Sequence, residues 1–265
     1  MILIALHGFF GVPDDWKDIA EKCPELEIVT PDLSVWATRK EVTDFESFAR
    51  SMNRSVRLLS GERSEPVMIA GYSLGARLAS ACILADPELY RAALLVSVNP
   101  GLANADRVGR ESRLDFDRVW AERMRKKPWA ETWKAWNEQA VLKPGSRAIR
   151  HTEIVGREDK ISRSLEGRRE AWARAMEIWS LGHQPDQRQA LLDWSMAGGA
   201  LQRPLTVMTG TEDSKFTELT RSWLGPAASG GGPVRHRLVL GAGHRVLSEA
   251  SEDVASEISS LLKSV

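Results

Sequence analysis

The stretch Gly71-Tyr72-Ser73-Leu74-Gly75 decides the fold through its position between a predicted strand and a predicted helix. The apolar run PVMIA at 66–70 comes directly before it, and a helical pattern over 74–86 follows it. In a G-x-S-x-G motif of this kind the chain turns so sharply that side chains on either side of the serine would collide, and glycine at both ends removes that collision. The pattern predicts that Ser73 stands at the carboxyl edge of a sheet, with the Leu74 N–H at a helix N-terminus that stabilises negative charge.

Further apolar runs predict a parallel sheet around this turn. Strands that are buried on both faces of a parallel sheet are continuously apolar rather than alternating. Such runs occupy six segments: ILIAL at 2–6, LEIV at 26–29, PVMIA at 66–70, AALLVSV at 92–98, PLTVMT at 204–209 and RHRLVL at 235–240. Helical patterns lie between or after them, at about 44–60, 74–86, 215–224 and 247–263. Strands and helices in alternation predict βαβ units, and therefore an α/β fold with a mostly parallel central sheet flanked by helices.

The segment 102–200 breaks this alternation. It contains no convincing strand, its patterns are helical, and it holds seven of the ten tryptophans of the chain. A helical insertion between two strands is typical of a cap. We therefore expect a core formed by 1–101 and 201–265, with a helical cap inserted at 102–200. Packing between helices is sufficient to explain any single tryptophan of this segment.

Charge and cysteine content narrow the class of protein. The 36 basic and 36 acidic residues give a formal net charge of zero, so no long-range field favours nucleic acid or an anionic membrane as a partner. Cys23 and Cys82 have no metal-ligand or redox spacing, which favours two reduced thiols in a cytoplasmic protein, although the sequence leaves a disulfide open. The opening apolar run lacks a basic leader and predicts a strand rather than a signal peptide, and no stretch approaches the length of a membrane span.

Two late residues complete a predicted catalytic triad. A serine hydroxyl needs a base within hydrogen-bond reach, and the base needs a carboxylate that fixes its tautomer. After a serine turn of this kind, the acid and then the histidine follow along the chain. His244 lies in a glycine-rich turn after the last predicted strand, and it is favoured over His236, which falls within that strand. Asp213 is the predicted acid, and Glu212 is the alternative. A purely structural role, in which the carboxylate only caps the next helix, is the other explanation.

The loop His7-Gly8-Phe9-Phe10-Gly11 follows the first predicted strand. Its small residues allow the backbone to approach a ligand closely, so we predict that the N–H groups of Phe9 and Leu74 form an oxyanion hole. For His7, a structural hydrogen bond within the loop is favoured over proton transfer.

Arginines supply positive charge near the predicted serine. Arg77 lies four residues after Ser73, one turn along the same helix face. Its guanidinium could grip a substrate carboxylate in bidentate fashion or form a surface salt bridge, and the spacing alone does not decide between these. Arg113, within the insertion, is on pattern alone an exposed helix charge.

Together these residues predict the α/β-hydrolase fold, and they resemble one branch of it. That branch is the 2-succinyl-6-hydroxy-2,4-cyclohexadiene-1-carboxylate synthases of menaquinone biosynthesis, and the resemblance extends over nearly the whole chain. The matching segments are Leu6-His7-Gly8-Phe9 with Asp15-Trp16, Gly71 to Arg77, Pro100-Gly101-Leu102, a cap motif of Arg113, Asp117, Trp120 and Ala121, Trp136 with Gln139, Ser180-Leu181 with Gln184-Pro185, and Asp213-Ser214-Lys215-Phe216. The cap motif R-x-x-x-D-x-x-W-A and the tetrapeptide after Thr211-Glu212 are more specific than any general hydrolase feature.

The resemblance implies a lyase rather than a hydrolase. In that family the serine, activated by histidine, abstracts a proton from the substrate ring, and pyruvate is then eliminated. The substrate carries several carboxylates, so the resemblance implies a small anionic substrate and gives the arginines a purpose. The implied substrate-binding residues are Tyr72, Arg77, Arg113, Trp136 and a further cap arginine, which is Arg163 or, given the loose match there, Arg168. No metal and no organic cofactor is implied.

Departures from the family pattern flank the predicted pocket. Asn137 stands where the family usually has tyrosine, Ala140 where proline is common, and Arg245-Val246-Leu247 where Asn-Ala-His often follows the histidine; the segment 143–170 is also longer. These changes bear on substrate identity rather than on the triad. The alternatives are a serine hydrolase acting on an ester, a thioester or a C–C bond of a small carboxylated substrate, and a non-catalytic binding protein. The sequence leaves a monomer or a homodimer open.

Overall fold

A computed structural model describes residues 1–61, 66–147, 162–197, 203–229 and 231–265. Six strands form one sheet in the order β2-β1-β3-β4-β5-β6, and each neighbouring pair is parallel. The strands are β1 (Ile2–Leu6), β2 (Glu27–Val29), β3 (Val67–Tyr72), β4 (Tyr90–Val96), β5 (Leu205–Gly210) and β6 (Val234–Val239). The predicted fold class is confirmed, and the observed strands differ from the predicted runs by one or two residues at their ends.

Helices cover both faces of this sheet and make up most of the described part of the insertion. The core helices are α1 (Lys17–Ala20), α2 (Leu33–Thr38), α3 (Phe45–Gly61), α4 (Leu74–Ala85), α9 (Ser214–Leu224), α10 (Val246–Glu249) and α11 (Ser251–Leu262). Between β4 and β5 lie α5 (Arg107–Lys126), α6 (Trp129–Asn137), α7 (Arg169–Ile178) and α8 (Arg188–Met196). The single helix expected over 247–263 is instead two, because Ala250 adopts an extended φ of −149° between α10 and α11.

The sheet is buried on both faces, which explains its continuously apolar strands. In β1, Ile2, Ile4 and Leu6 face a core cluster shared with α3 and α4, whereas Leu3 and Ala5 face a second cluster shared with α11. The insertion joins the first of these clusters, because Trp172 and Trp179 are fully buried within it.

The register brings several loops to one edge of the sheet. Leu6 pairs with Gly71, Tyr72 pairs with Val96, and Gly210 pairs with Val239, so these strands end close to one another. In a parallel sheet the loops that follow the carboxyl ends of the strands therefore meet above this edge. These loops carry the residues that the sequence analysis singled out.

Side-chain contacts dock the insertion onto the core. Arg174 on α7 donates from Nε to the carbonyl of Ala37 at 2.7 Å and from a terminal nitrogen to that of Val42 at 2.9 Å. Within the insertion, Arg125 on α5 pairs with Glu177 on α7 at 2.5 Å, which ties α7 to its neighbouring helix. The insertion is therefore held through α7, which contacts both α5 and α2.

Candidate active site

The turn at Ser73 has the strained backbone that its sequence predicts. Ser73 has φ of 53° and ψ of −110°, a left-handed conformation that side chains rarely adopt. A Cβ on Gly71 would lie 2.4 Å from the carbonyl oxygen of Gly75, and one on Gly75 would lie 2.2 Å from that of Leu6. Strain of this kind persists only where the surroundings fix it. Here the Ser73 N–H donates to the Val96 carbonyl at 2.9 Å, which ties the turn to β4.

Ser73, His244 and Asp213 are linked by hydrogen bonds. His244 Nε2 lies 3.2 Å from Ser73 Oγ, and His244 Nδ1 lies 2.7 Å from Asp213 Oδ2. His244 and Asp213 are buried, so water competes little for these contacts. With Nδ1–H donating to the carboxylate, Nε2 presents its lone pair to the serine hydroxyl. This arrangement allows the serine to lose its proton to the imidazole.

Asp213 also caps the helix that follows it. Its Oδ1 accepts from the Phe216 N–H at 3.3 Å, so the carboxylate caps α9 and orients His244 at once. The two alternatives of the sequence analysis lie elsewhere. Glu212 is exposed and accepts hydrogen bonds from the backbone and hydroxyl of Ser146, and His236 lies in β6 with Nε2 2.8 Å from Thr209 Oγ1.

The loop after β1 approaches the serine turn closely. A Cβ on Gly8 would lie 2.8 Å from the ring of Tyr72, so only glycine fits there. His7 is fully buried; its Nδ1–H donates to the Gly8 carbonyl at 2.9 Å and its Nε2 accepts from the Leu33 N–H at 3.0 Å. Burial lowers the pKa of His7 to about 4, so the ring is neutral at pH 7. These contacts favour a structural role for His7.

The two amides expected to form an oxyanion hole flank the serine. Phe9 belongs to the loop beside the turn, and Leu74 is the first residue of α4. Within the described ranges, neither N–H donates a hydrogen bond to another protein group. Both amides are therefore available to an oxygen atom of a substrate.

Arg77 lies one turn after the serine, and its side chain is half-buried. Its Nε donates to Gln184 Oε1 at 2.6 Å, and a terminal nitrogen donates to the Trp179 carbonyl at 2.7 Å. Burial, reinforced by the charge of Arg113 and opposed by Asp117, lowers the pKa of Arg77 to about 9, so it remains a cation at pH 7. Among the described residues Arg77 forms no surface salt bridge, and its binding of a substrate carboxylate stays a prediction.

Gln184 is a contact residue that reasoning from residue type did not single out. Its amide nitrogen donates to the Asn99 carbonyl and to Gln187 Oε1, both at 3.0 Å. These bonds turn its oxygen toward Arg77. The pattern Ser180-Leu181 with Gln184-Pro185 contained the residue, but nothing in its spacing revealed the partner.

Arg113 is paired within its own helix. Its Nε lies 2.9 and 2.8 Å from the two carboxylate oxygens of Asp117, and Ser180 Oγ donates to the same carboxylate at 2.7 Å. Asp117 is buried, whereas the Arg113 side chain is about one-third exposed. The cap motif R-x-x-x-D thus corresponds to an ion pair one turn apart on α5, and its positive charge is close enough to lower the pKa of Arg77.

Aromatic rings line the insertion side of the loop after β1. The Trp136 ring centroid lies 4.9 Å from that of Phe9, 5.0 Å from that of Phe10 and 5.2 Å from that of Trp120. On the core side, Tyr72 lies 5.7 Å from His244 between ring centroids. Trp136 therefore contacts the Phe9 loop, whereas Tyr72 contacts His244.

The two arginines considered for the further cap position differ in their surroundings. Arg168 donates to Asp32 and, at 3.3 Å, to Ser34 Oγ, so it docks the insertion on the start of α2. Arg163 is exposed, one residue beyond Ser162, whose carbonyl accepts from Trp129 Nε1 at 2.9 Å. The structure thus gives Arg168 a docking role, and substrate binding by Arg163 stays a prediction.

The segment 143–147 of the insertion lies against the turn before His244. A Cβ on Gly145 would lie 2.4 Å from the backbone nitrogen of Gly243, and the Arg147 N–H donates to the Gly241 carbonyl at 2.9 Å. The buried carboxylate of Glu249 accepts from the backbone N–H groups of Gly145 at 3.3 Å and Gly243 at 2.6 Å. The insertion and the histidine turn are therefore in direct backbone contact, which no sequence pattern predicted.

A separate open groove of about 670 Å³ lies between α2 and α7. Ser34, Arg168 and Arg174 are among the residues that line it, and Ser73 is not. The groove therefore belongs to the docking contact of the insertion rather than to the serine site.

Comparison with known proteins identifies the family. A sequence model described as the alpha/beta hydrolase family matches residues 3–257. The chain belongs to this family. A 2-succinyl-6-hydroxy-2,4-cyclohexadiene-1-carboxylate synthase from Serratia proteamaculans (strain 568) is 31% identical over 264 residues, which cover 98% of this chain and 92% of the relative. The resemblance to these synthases is thereby confirmed. The prediction of an enzyme of the α/β-hydrolase superfamily that acts as a lyase is also confirmed.

Solved structures share the fold. MenH from S. aureus superposes with a TM-score of 0.80 at 18% identity, covering 99% of this chain and 93% of that one. A thermophilic esterase from Thermogutta terrifontis superposes with a TM-score of 0.71 at 20% identity, covering 99% and 89%. At such identities the likeness establishes the fold alone.

None of the helices described here is long and apolar enough to cross a membrane. A cytoplasmic location and a monomeric or homodimeric state stay predictions.

Proposed function

We propose that this enzyme eliminates pyruvate from 2-succinyl-5-enolpyruvyl-6-hydroxy-3-cyclohexene-1-carboxylate to give 2-succinyl-6-hydroxy-2,4-cyclohexadiene-1-carboxylate. The observation that carries the proposal is the half-buried guanidinium of Arg77, one turn after Ser73 and within the field of Arg113. The hydrogen bonds of Arg77 go to two uncharged acceptors, so its positive charge can still be compensated by an anion. A substrate with several carboxylates supplies that compensation, whereas an apolar ester does not.

In the proposed reaction Ser73, His244 and Asp213 act as one base. Ser73 gives its hydroxyl proton to His244 Nε2 as its oxygen removes a proton from the substrate ring. The electrons of the broken C–H bond form a ring double bond, and the C–O bond to the enolpyruvyl group breaks. The departing enolate takes up a proton and leaves as pyruvate, and no net oxidation or reduction occurs. Asp213 stays ionised and stabilises the imidazolium that forms during the step.

The remaining site residues bind and orient the substrate in this proposal. Arg77 and Arg113 receive carboxylates, and Trp136 and Tyr72 pack against the rest of the molecule. The Phe9 and Leu74 amides stabilise negative charge that develops on an oxygen beside Ser73. Arg163 is the further cap arginine of the proposal.

A coupled assay for pyruvate tests this function directly. Purified protein should release pyruvate from the enolpyruvyl precursor, and Ser73→Ala should lower kcat by about 10⁴-fold or more, as loss of a triad serine does elsewhere. Ser55→Ala, an exposed serine on α3, is the matched control and should retain full activity. Rapid cleavage of p-nitrophenyl esters without pyruvate release would refute the elimination.

That last outcome would establish the second candidate, a serine hydrolase acting on a small carboxylated substrate. The specific observation in its favour is the 3.2 Å contact between Ser73 and His244, which suits attack on a carbonyl equally well. A non-catalytic binding protein is disfavoured, because a binding protein has no need of a strained serine hydrogen-bonded to a buried His–Asp pair.

A further inference from the structure

A polar contact joins the turn that carries His244 to the end of α6. Arg245, the residue after His244, donates from a terminal nitrogen to Asn137 Oδ1. Asn137, the residue after Trp136, is the last residue of α6 and donates from Nδ2 to the Trp133 carbonyl at 2.9 Å. Both side chains are half-buried. One contact therefore links the neighbours of two residues assigned to the site.

The local chemistry suits this contact. The bond from Nδ2 to the Trp133 carbonyl fixes the amide of Asn137, so its oxygen faces Arg245. The carbonyl groups at the C-terminus of a helix carry partial negative charge, which favours a cation there. A hydrogen bond from a guanidinium is also stronger than one between neutral groups. Arg245 is therefore a well-matched partner for the end of α6.

The contact lies next to residues that are assigned to the candidate site. On one side, the charge of Arg245 acts on the hydroxyl of Tyr72 and opposes the effect of burial, which raises the pKa of that group. On the other side, α6 presents Trp136 to Phe9, with 4.9 Å between ring centroids. Arg245 thus acts on the Tyr72 hydroxyl of the core through its charge, and it contacts the helix of the insertion that carries Trp136.

We infer that Arg245 and Asn137 form a clasp that positions Trp136 over the Phe9 loop and thereby determines how the substrate fits. The inference rests on the proposed function for its substrate, although the clasp itself is a feature of the structure. Asn137 and Arg245 are also two of the departures from the family pattern noted above, and their contact makes them a single coupled change. Both are positioning residues, because they act through Trp136.

Substitutions at both ends of the clasp test the inference. Arg245→Met and Asn137→Leu should each raise the KM for the enolpyruvyl substrate about tenfold, with kcat changed by less than about threefold, because they loosen a binding wall without touching the triad. The double variant should be no worse than either single variant, as expected for residues that act as one unit. Asn137→Asp keeps an acceptor for Arg245 and should recover most of what Asn137→Leu loses. Arg237→Met, which removes an exposed guanidinium from β6, is the control.

Hydrogen exchange supplies a readout that does not depend on the reaction. Amides in 129–142 should exchange faster in Arg245→Met and Asn137→Leu than in Arg237→Met, while the thermal midpoints of all three stay within a few degrees of the parent. Equal exchange and equal KM in the clasp variants and the control would overturn the inference, as would KM effects that multiply in the double variant. If the parent protein releases no pyruvate but exchange in 129–142 responds as expected, the clasp stands and the proposed substrate falls.

Discussion

The serine turn and the inserted helices are held in place by different kinds of interaction. At the turn, backbone groups do most of the work: Ser73 is fixed by its N–H bond to Val96 and by glycines that no larger residue can replace. The insertion shares buried tryptophans with the core, and it is also docked by long charged side chains, such as Arg168 on Asp32 and Arg174 on two carbonyls of the core. Backbone packing of the first kind tolerates little change, whereas exposed ionic contacts are individually weak. We therefore expect the chemistry to depend on the rigid turn, and substrate selection on the more adjustable contacts of the insertion.

The largest effect is expected from filling the tight space in the serine turn. Gly75→Ala places a Cβ 2.2 Å from a backbone oxygen of β1, so either the strand or the turn must move. We expect a loss of about 4 kcal/mol or more in the free energy of unfolding, measured by urea denaturation. Gly61→Ala, at the end of α3, meets nothing within 4 Å and should change stability by less than about 1 kcal/mol. Similar losses in both variants would contradict a tightly packed turn.

The next largest effect is expected at Arg77, which lies after the serine turn and contacts the insertion. Arg77→Met removes the half-buried cation beside the serine and should lower kcat/KM for pyruvate release by about 10²- to 10³-fold, because the proposed charged contact to the substrate is lost. The free energy of unfolding should fall by about 1–3 kcal/mol, because the buried Gln184 oxygen and the Trp179 carbonyl lose their donor. Arg118→Met, on the exposed face of α5, is the control and should leave kcat/KM unaltered. An unchanged rate in Arg77→Met would remove Arg77 from the site.

The free energy of unfolding is expected to depend on pH through His7, in the loop beside the serine turn. The pKa of His7 falls from 6.5 to about 4 on folding, so between these values the unfolded chain binds a proton that the folded chain does not. The stabilisation that neutral His7 provides is thus fully present above pH 6.5. It is lost as the pH falls to about 4, which lowers the free energy of unfolding by about 3 kcal/mol at most. In His7→Gln this part of the pH dependence should disappear from denaturation curves measured at pH 7, 5.5 and 4. His183→Gln, at an exposed position, should retain it.

The smallest effect is expected where the insertion docks. Arg168→Met should lower the free energy of unfolding by no more than about 1 kcal/mol, because the Arg168 side chain is more than one-third exposed. We expect faster hydrogen exchange in α7 and a KM raised a few-fold. Added salt should likewise lower the free energy of unfolding of the parent protein. A loss as large as that of Gly75→Ala would mean that the two regions are not held differently.

The sequence predicted the rigid region well and the docked region poorly, for a physical reason. Ser73, Asp213 and His244 lie in short loops directly after strands, so local patterns were enough to predict which side chains would meet at the sheet edge. The partners of Arg77 and Asp117 within the insertion, Gln184 and Ser180, come from distant segments. Their side chains meet through tertiary packing of helices, which has no local signature. The contact between Asn137 and Arg245 was missed for the same reason, although both residues had been noted separately.

The close approach of Gly145 to Gly243 bears on how such enzymes could be recombined. A chimera that exchanged only residues 102–200 with those of a relative would place a foreign backbone against the histidine turn, where there is no room for a Cβ. It would also leave Glu212 and Arg245, both outside the exchanged segment, facing new neighbours in place of Ser146 and Asn137. The insertion is therefore not an interchangeable module, and a successful graft would have to carry its matching core positions with it.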